Sequence, residues 1–365
     1  MNVLIDERAK GRNKVDLLNE AISNIKPLNK EAMDKARERQ NNLTKPAGSL
    51  GVLEEISIQL AGITGNVINE VDRKTVVVMA GDHGVTDEGV SAFPKEVTSQ
   101  MVLNFINGGA GINVLARHVG AEVIVVDIGV AAEINHPNVI NRKVKLGTAN
   151  FAREPAMTRD EAIQAIEVGI EVVYKEVEKG TRILATGDMG IGNTTPSSAI
   201  LAALTGKPID SLVGYGTGIN NGVLDHKRKV IEEAVNMLEP DKNDPIDVLA
   251  KVGGLEIAGL AGLILGAASR QIPVVIDGFI SGAAALVAGR LCPDAKNYMI
   301  ASHVSVEPGH RLILDELGLK PTLHMDMRLG EGTGAVLAMG IVEAATKVIK
   351  EMATFEEASV SEKNG

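Results

Sequence analysis

The chain has 365 residues and a formal net charge of −10, a length that suits one large α/β domain with an accessory part, or two domains. Aromatic residues make up only 2% and Trp is absent, so neither base stacking on a nucleic acid nor binding to an anionic membrane is expected. The single cysteine, Cys292, excludes an intrachain disulfide and a CxxC metal site, and its position predicts a buried thiol at a helix end.

The first seventy or so residues predict helices. Apolar residues recur at helical spacing over Val15–Ile25 and Lys30–Asn41, and a third helix, Val52–Val67, follows the glycine-containing turn KPAGSLG. The N-terminus lacks the apolar core of a signal peptide, and the longest apolar run is too short to span a bilayer. The sequence therefore predicts a cytoplasmic protein.

From Lys74 onward, short β-branched runs each lead into a glycine-bearing loop and a helix. The predicted strands are Thr75–Ala80, Glu122–Asp127, Arg182–Thr186, Pro273–Ile276 and Tyr298–Ala301. Apolar strands that alternate with helices indicate an α/β fold, in which a parallel sheet has helices on both faces and ligands bind at the carboxyl ends of the strands.

The last predicted helix, Thr333–Met352, is expected to return to the N-terminal helices. Residues 1–70 together with 336–365 would then form a small helical domain. Residues 71–335 would form the large α/β catalytic domain.

The segment RILATGDMGIGNTT predicts an anion site. Gly187, Gly190 and Gly192 predict a loop between a strand and a helix that opens at Asn193–Thr195, and such a loop presents backbone N–H groups at the positive end of a helix dipole. Asp188 lies inside this segment, and a carboxylate repels phosphate. We therefore expect Asp188 to face a ribose hydroxyl or a proton in transit.

The GDHG segment after the first strand allows two interpretations. Asp82 and His83 either bind a metal or hydrogen-bond loop backbone and hold the loop that follows. The other histidines offer no short metal-ligand spacing, and the nearest pair, His324 and Asp326, is weak alone. We therefore predict no metal site.

The loop after GDHG leads into a helix that starts near Lys95. Ser91, Phe93 and Gln100 either line a slot for a flat heterocycle or belong to an ordinary loop with a solvent-facing Gln. The residues alone favour the ordinary loop.

A second glycine loop, GYGTG, precedes a helix that carries Lys227, Arg228 and Lys229. It is not a dinucleotide fingerprint because its third glycine comes too early, and the chain has no GxxxxGK[ST] phosphate loop. One lysine of this helix could reach a phosphate, but at least two of the three basic residues are expected to face solvent.

Two acids lie at the boundaries of later predicted elements. Asp277 follows a strand and either serves the site or caps the helix that begins near Phe279. Glu331 lies between Gly330 and Gly332 at the start of the last helix, where it is either a helix-dipole acid or a general base. Flanking glycines let the backbone approach a ligand, as a general base requires.

Nine segments together resemble one enzyme family. They occur over nearly the whole chain: KPAGSLG, GDHG, FPKEVTSQM, GGAGINVLAR, ATGDMGIGNTTPSSA, GYGTG, VGGLEIAGLAG, VIDGFISGAAAL and MRLGEGTGA. The ordered set resembles the nicotinate-nucleotide–dimethylbenzimidazole phosphoribosyltransferases, which make α-ribazole phosphate for the lower ligand of cobalamin. The resemblance implies a Rossmann-like sheet, a small helical domain built from both chain ends, and a homodimer.

The resemblance also implies roles for individual residues, and it implies no cofactor and no metal. Glu331 matches the general base, with Asp188 as a second catalytic group. The phosphate and ribose of nicotinate mononucleotide would be held by Gly190, Gly192, Asn193, Thr194, Lys227, Asp277 and Ser305. The acceptor, 5,6-dimethylbenzimidazole or a related base, would lie against Ser91, Phe93, Gln100, Met189 and Leu329.

One position departs from the family pattern. Better-known members have Glu where this chain has Asp188, which is one methylene, or about 1.5 Å, shorter. The alternatives to the implied reaction are transfer to a purine or phenol and a nucleotide-binding protein without turnover. A dehydrogenase is excluded by the missing GxGxxG.

Overall fold

The computed structural model describes residues 17–216 and 218–361, and a six-stranded parallel sheet forms its centre. The strands are β1 (Lys74–Gly81), β2 (Ala121–Gly129), β3 (Val139–Asn141), β4 (Ile183–Met189), β5 (Val274–Ile276) and β6 (Met299–Ala301). Their order is β3-β2-β1-β4-β5-β6. The predicted α/β class and parallel sheet are confirmed, although the three-residue strand β3 is too short to be predicted from sequence.

The described residues contain fourteen α-helices. They are α1 (Leu17–Asn24), α2 (Lys30–Asn42), α3 (Val52–Thr64), α4 (Val97–Ile106), α5 (Gly111–Val119), α6 (Arg159–Glu178), α7 (Thr194–Thr205), α8 (Asn221–Leu238), α9 (Pro245–Val252), α10 (Leu255–Ser269), α11 (Phe279–Leu291), α12 (Pro308–Leu317), α13 (Thr333–Glu351) and α14 (Phe355–Ala358). No helix within these ranges is long and apolar enough to cross a membrane.

Helices cover both faces of the sheet, as predicted. Alternate residues of β1 point to opposite faces: Val77 and Met79 join one apolar core with α6 and α10, whereas Val76 and Val78 join another with α5 and α13. The chain runs from β1 to β2 on one side and crosses to β4 on the other. This strand order creates a crevice at the carboxyl ends of β1 and β4, where open α/β sheets bind ligands.

The C-terminal helix returns to the N-terminal helices, as expected. Arg39 of α2 donates from Nε to the carbonyl of Ile349 in α13 at 2.6 Å, and Ile349 packs with alanines of α2 and α3. Helix α1, in contrast, packs on α6 and α10. The predicted domain boundaries stay a prediction, and their residues 1–16 and 362–365, with the start of the first predicted helix at Val15, lie outside the described residues.

One predicted boundary is wrong. The sequence places Gly187 and Asp188 in a loop, but β4 continues through Met189 because its last residues pair with β1, Met79 with Asp188 and Ala80 with Met189. The carboxyl of Asp188 therefore extends from the end of a central strand, and the glycine loop begins only at Gly190.

Candidate active site

Glu331 sits in a turn of three consecutive residues with left-handed backbone. The φ angles are +81° at Gly330, +61° at Glu331 and +93° at Gly332, and Glu is strained in this conformation. A Cβ at Gly332 would lie 2.8 Å from a methyl group of Val76, so only glycine fits there. The turn is held between the sheet and the start of α13, and it fixes where the Glu331 side chain points.

The Glu331 carboxylate is buried against the N-terminus of α5. Its Oε2 accepts a hydrogen bond from the backbone N–H of Ile112 at 3.0 Å, and Gly111 leaves room for this approach. Burial raises the pKa of Glu331 above its ordinary value, and the nearby Asp277 raises it further, while the Ile112 N–H opposes the rise. A carboxylate with a raised pKa is a stronger base, which suits proton abstraction.

Asp188 lies at the end of β4 and receives a hydrogen bond from Asn193 Nδ2 at 3.0 Å. Burial raises its pKa to about 8, with a further rise from the charge on Asp277; the Asn193 contact lowers it by a smaller amount. At neutral pH this carboxyl is therefore mostly protonated and offers an O–H donor.

Asp277, at the end of β5, holds the start of α13. Its Oδ2 accepts from Gly332 N at 3.2 Å and its Oδ1 from Ala335 N at 2.9 Å. Of the two alternatives left open for Asp277, the cap of the helix that begins at Phe279 is wrong, since that helix has no side-chain cap and Asp277 reaches across to α13 instead. Its assignment to phosphate or ribose stays a prediction.

Lys227 of α8 is buried and donates from Nζ to Thr194 Oγ1 at 2.6 Å. Burial lowers its pKa to about 8, and the carboxylate of Glu307 opposes this fall. Lys229 is exposed, with a side chain 70% accessible, whereas Arg228 is half-buried at 29% and pairs with Asp225 at 3.1 Å. The expectation that at least two of these basic residues face solvent is therefore confirmed for Lys229 and not for Arg228.

The glycine loop between β4 and α7 is tightly packed. A Cβ at Gly190 would lie 2.4 Å from the carbonyl oxygen of Gly81, and Gly192 has a φ of +85°. Backbone N–H groups of Asn193 and Thr195 donate to carbonyls within the loop. Whether this loop binds phosphate stays a prediction.

A cavity of about 70 Å³ lies beside these residues. Of the predicted site residues it is lined by Asp188, Asn193, Thr194, Ser305 and Leu329. Its lining also includes three polar side chains that the sequence patterns do not single out: His303, Glu307 and Arg328.

Of these, Glu307 is an acid that lines the cavity together with Asn193 and Thr194 of the predicted phosphate site. Its Oε1 accepts from Gly216 N at 2.9 Å, and burial raises its pKa. The sequence held a weak signal for it, because Glu307 follows the last strand in the segment SHVSVEPGH.

The predicted base-binding residues are only partly assembled in the described structure. Met189 is buried and Ser91 half-buried, whereas Phe93, Gln100 and Leu329 are exposed. Ser91, Phe93, Gln100 and Met189 lie outside the lining of the cavity. Thr98 joins helix α4, which carries Gln100, to the glycine loop by accepting a hydrogen bond from Ile191 N at 3.1 Å. Their contact with a base stays a prediction.

Asp82 and His83 directly follow β1 and contact other elements of the fold. Asp82 accepts from Ala131 N at 2.8 Å, as expected of a loop-holding acid, but His83 pairs with a side chain, Glu256 of α10, at 2.8 Å. Burial disfavours the charged imidazole, yet Glu256 outweighs this and raises the pKa of His83. Because the two residues are far apart in sequence, spacing could not reveal the pair.

Comparison with known proteins gives one consistent result. A family model described as phosphoribosyltransferase matches residues 25–360. The nicotinate-nucleotide–dimethylbenzimidazole phosphoribosyltransferase of Chloroflexus aggregans is 61% identical over 350 residues, which cover 96% of this chain and 99% of the relative. The enzyme of the same name from Geobacter sulfurreducens is 57% identical over 347 residues, covering 95% and 99%.

The fold agrees with these sequence relatives. The crystal structure of CobT from Thermus thermophilus has a TM-score of 0.88 and 47% identity, and the match covers 91% of this chain and 100% of that one. The resemblance found in the sequence motifs is thus confirmed across nearly the full length. The chain belongs to the nicotinate-nucleotide–dimethylbenzimidazole phosphoribosyltransferase family.

Proposed function

We propose that this enzyme transfers the 5-phosphoribosyl group of nicotinate mononucleotide to 5,6-dimethylbenzimidazole, releasing nicotinate and α-ribazole 5′-phosphate for the nucleotide loop of cobalamin. The observation that carries the proposal is the buried Glu331 carboxylate, fixed in a strained turn at the ligand-binding edge of the sheet. Relatives 57% to 61% identical bear the name of this activity.

In the proposed reaction, Glu331 takes the N–H proton of the benzimidazole. The other ring nitrogen then attacks the anomeric carbon of the ribose, and the bond from that carbon to the pyridinium nitrogen breaks. The pyridinium is already a good leaving group, so the step needs neither metal nor cofactor. In-line displacement converts the β-nucleotide into the α-product, and nearby carboxylates stabilise oxocarbenium character in the transition state.

The remaining predicted residues take supporting roles. The loop from Gly190 to Thr194 and the Lys227 ammonium would hold the 5′-phosphate, together with Ser305. The base would lie against Met189 and Leu329, with Ser91, Phe93 and Gln100 lining the rest of its slot. We further propose that the enzyme works as a homodimer in the cytoplasm.

Incubation of the pure protein with nicotinate mononucleotide and 5,6-dimethylbenzimidazole tests the proposal. We expect release of nicotinate and formation of the α-riboside phosphate. Competition with adenine and p-cresol then measures the acceptor preference. A protein that binds the nucleotide but releases no nicotinate with any of these acceptors would be a binding protein instead.

Glu331→Gln tests the role of the base. Because a positioned base contributes about 10²- to 10⁴-fold, we expect turnover to fall at least about a hundredfold. Binding of nicotinate mononucleotide should stay unchanged. Near-normal turnover would eliminate Glu331 as the base.

A further inference from the structure

We infer that Asp277 is a positioning residue that fixes the Glu331 carboxylate by pinning the first turn of α13. The inference rests on the proposed function, in which Glu331 is the base. It assigns Asp277 a task different from contact with phosphate or ribose.

The Asp277 carboxylate accepts two hydrogen bonds from the start of α13. Gly332 N and Ala335 N both donate to this one carboxylate, and Gly332 is the residue directly after Glu331. Four N–H groups at a helix start lack partners within the helix, so a carboxylate that takes two of them fixes the helix end. A shift of α13 would move Glu331 with it.

Asp277 is itself fixed from the sheet side. Its backbone N–H donates to Thr186 Oγ1 at 3.1 Å, and its carbonyl accepts from Ser302 Oγ at 3.3 Å. These contacts join Asp277 to β4 and to the end of β6, and its side chain is fully buried. Asp277 therefore transmits the position of the central strands to the turn.

The turn at Glu331 is strained and needs this support. Glu331 is held in a left-handed conformation that costs free energy, of the order of 1–3 kcal/mol for such a residue. Strain of this kind persists only where surrounding contacts determine it. Gly334, three residues after Glu331, packs closely on His303, since a Cβ there would lie 2.1 Å from His303 Nδ1.

Charges face Glu331 and Asp277 from several elements. Asp188 reaches from β4 and Asp277 from β5, while α5 presents the Ile112 N–H. His303, after β6, lies 3.9 Å from Asp277 Oδ1. Removing the Asp277 charge takes away one group that raises the pKa of Glu331. The acidic limb of the pH–rate profile should then move to lower pH. Because greater exposure of Glu331 would move the limb the same way, the charge-retaining variant Asp277→Glu separates the two causes.

The test compares Asp277→Asn with the control Asp127→Asn. Asp127 is another buried acid at a strand end; it accepts from Val130 N at 2.9 Å, and we assign it no part in the site. For Asp277→Asn we expect kcat to fall about 10- to 100-fold, as for misplacement of a catalytic group, with the KM for nicotinate mononucleotide within about twofold. The acidic limb should move down only in Asp277→Asn.

Two further measurements keep the inference testable if Asp277→Asn is unstable. Asp277→Glu keeps the charge but displaces it, so it should lower kcat while leaving the acidic limb in place. In the wild-type enzyme, the peptide 331–335 should exchange its amide hydrogens as slowly as the core strands.

Three results would overturn the inference. They are an unchanged kcat and pH profile in Asp277→Asn, a change mainly in the KM for the nucleotide, or fast exchange of residues 331–335. A wild-type enzyme that releases no nicotinate would instead refute the proposed function, so the two failures are distinguishable.

Discussion

The raised pKa of Asp188 predicts that replacing it by a neutral side chain stabilises the fold. In Asp188→Asn the side chain keeps its size and can still accept from Asn193, but it no longer has to be kept protonated in a buried site. We expect the variant to have a higher free energy of unfolding than the wild type at neutral pH. The gain would come at the expense of a group placed beside the reacting atoms.

The magnitude follows from linkage between protonation and folding. The folded pKa of about 8 lies above the value of 3.8 that applies when the carboxyl is exposed. Such a group contributes stability that is fully present below its unfolded pKa and is lost as the pH rises to its folded pKa. Each pH unit in that window changes the unfolding free energy by about 1.4 kcal/mol, so Asp188→Asn gains up to about 4 kcal/mol at pH 7.

Urea unfolding of both proteins at pH 4, 6 and 8 measures this gain. The difference in unfolding free energy should be small at pH 4 and grow to pH 8. Glu54→Gln is a control of opposite sign. Burial raises the pKa of Glu54, but Lys45 at 2.7 Å and the Leu50 N–H outweigh this and hold it below its ordinary value.

The control variant should therefore be less stable than the wild type at neutral pH. That deficit should shrink on acidification, because the stability from a depressed pKa is lost as the pH falls through it. Parallel pH profiles for Asp188→Asn and the wild type would refute the reasoning and show that Asp188 is ionised in the folded protein.

Two further predictions concern the phosphate side and the turn at Glu331. Lys227→Met should raise the KM for nicotinate mononucleotide at least about tenfold, as loss of a hydrogen-bonded charge does, whereas Lys229→Met on the exposed face should leave it unchanged. In the wild type, kcat/KM for the nucleotide should fall above pH 8 as Lys227 loses its proton. Lys227→Arg should reduce that fall, which steady-state kinetics from pH 6 to 9 would measure. Gly332→Ala should lower both turnover and the free energy of unfolding, the latter by more than about 1 kcal/mol, because its Cβ would meet Val76 and the backbone oxygen of Thr186. Gly318 also has a positive φ, +68°, but open space around it, so Gly318→Ala should lower the free energy of unfolding by only about 1 kcal/mol and keep activity. Equal unfolding free energies for the two alanine variants would contradict the steric argument.

The elements that the sequence predicts well are those whose local pattern agrees with the fold. Strand β1 is a run of β-branched residues, and the start of α7 carries its own glycine loop, so both are predictable. The end of β4 is not, because Gly and Asp are poor strand formers and are held in the sheet only by pairing with β1. Strand β3 has three residues, too few for a pattern.

The site residues also divide into those set by a local pattern and those set by tertiary packing. Glu331 is predictable because two glycines flank an acid at a helix start, which is a local pattern. The tertiary contacts of the site are not predictable: that between Glu331 and Ile112 spans 219 residues, and that between Asp277 and Ala335 spans 58. A single sequence contains no record of which distant residues meet, so the parts of the site set by tertiary packing could not be read from it.

The acids explain why this site suits the positively charged pyridinium ring of the proposed donor. Burial raises the pKa of Asp188, Asp277 and Glu331, and the charge on Asp277 adds to the rise at Asp188 and Glu331, so the free site disfavours full ionisation. In the proposed reaction, positive charge is on the pyridinium ring of the donor and then develops on the ribose. A cation placed among these carboxyls favours their ionised forms, and the attraction is strongest where water is excluded. In the proposed reaction the cation offsets the cost of burying these acids. This is why the neutral replacement Asp188→Asn should stabilise the protein and impair the enzyme.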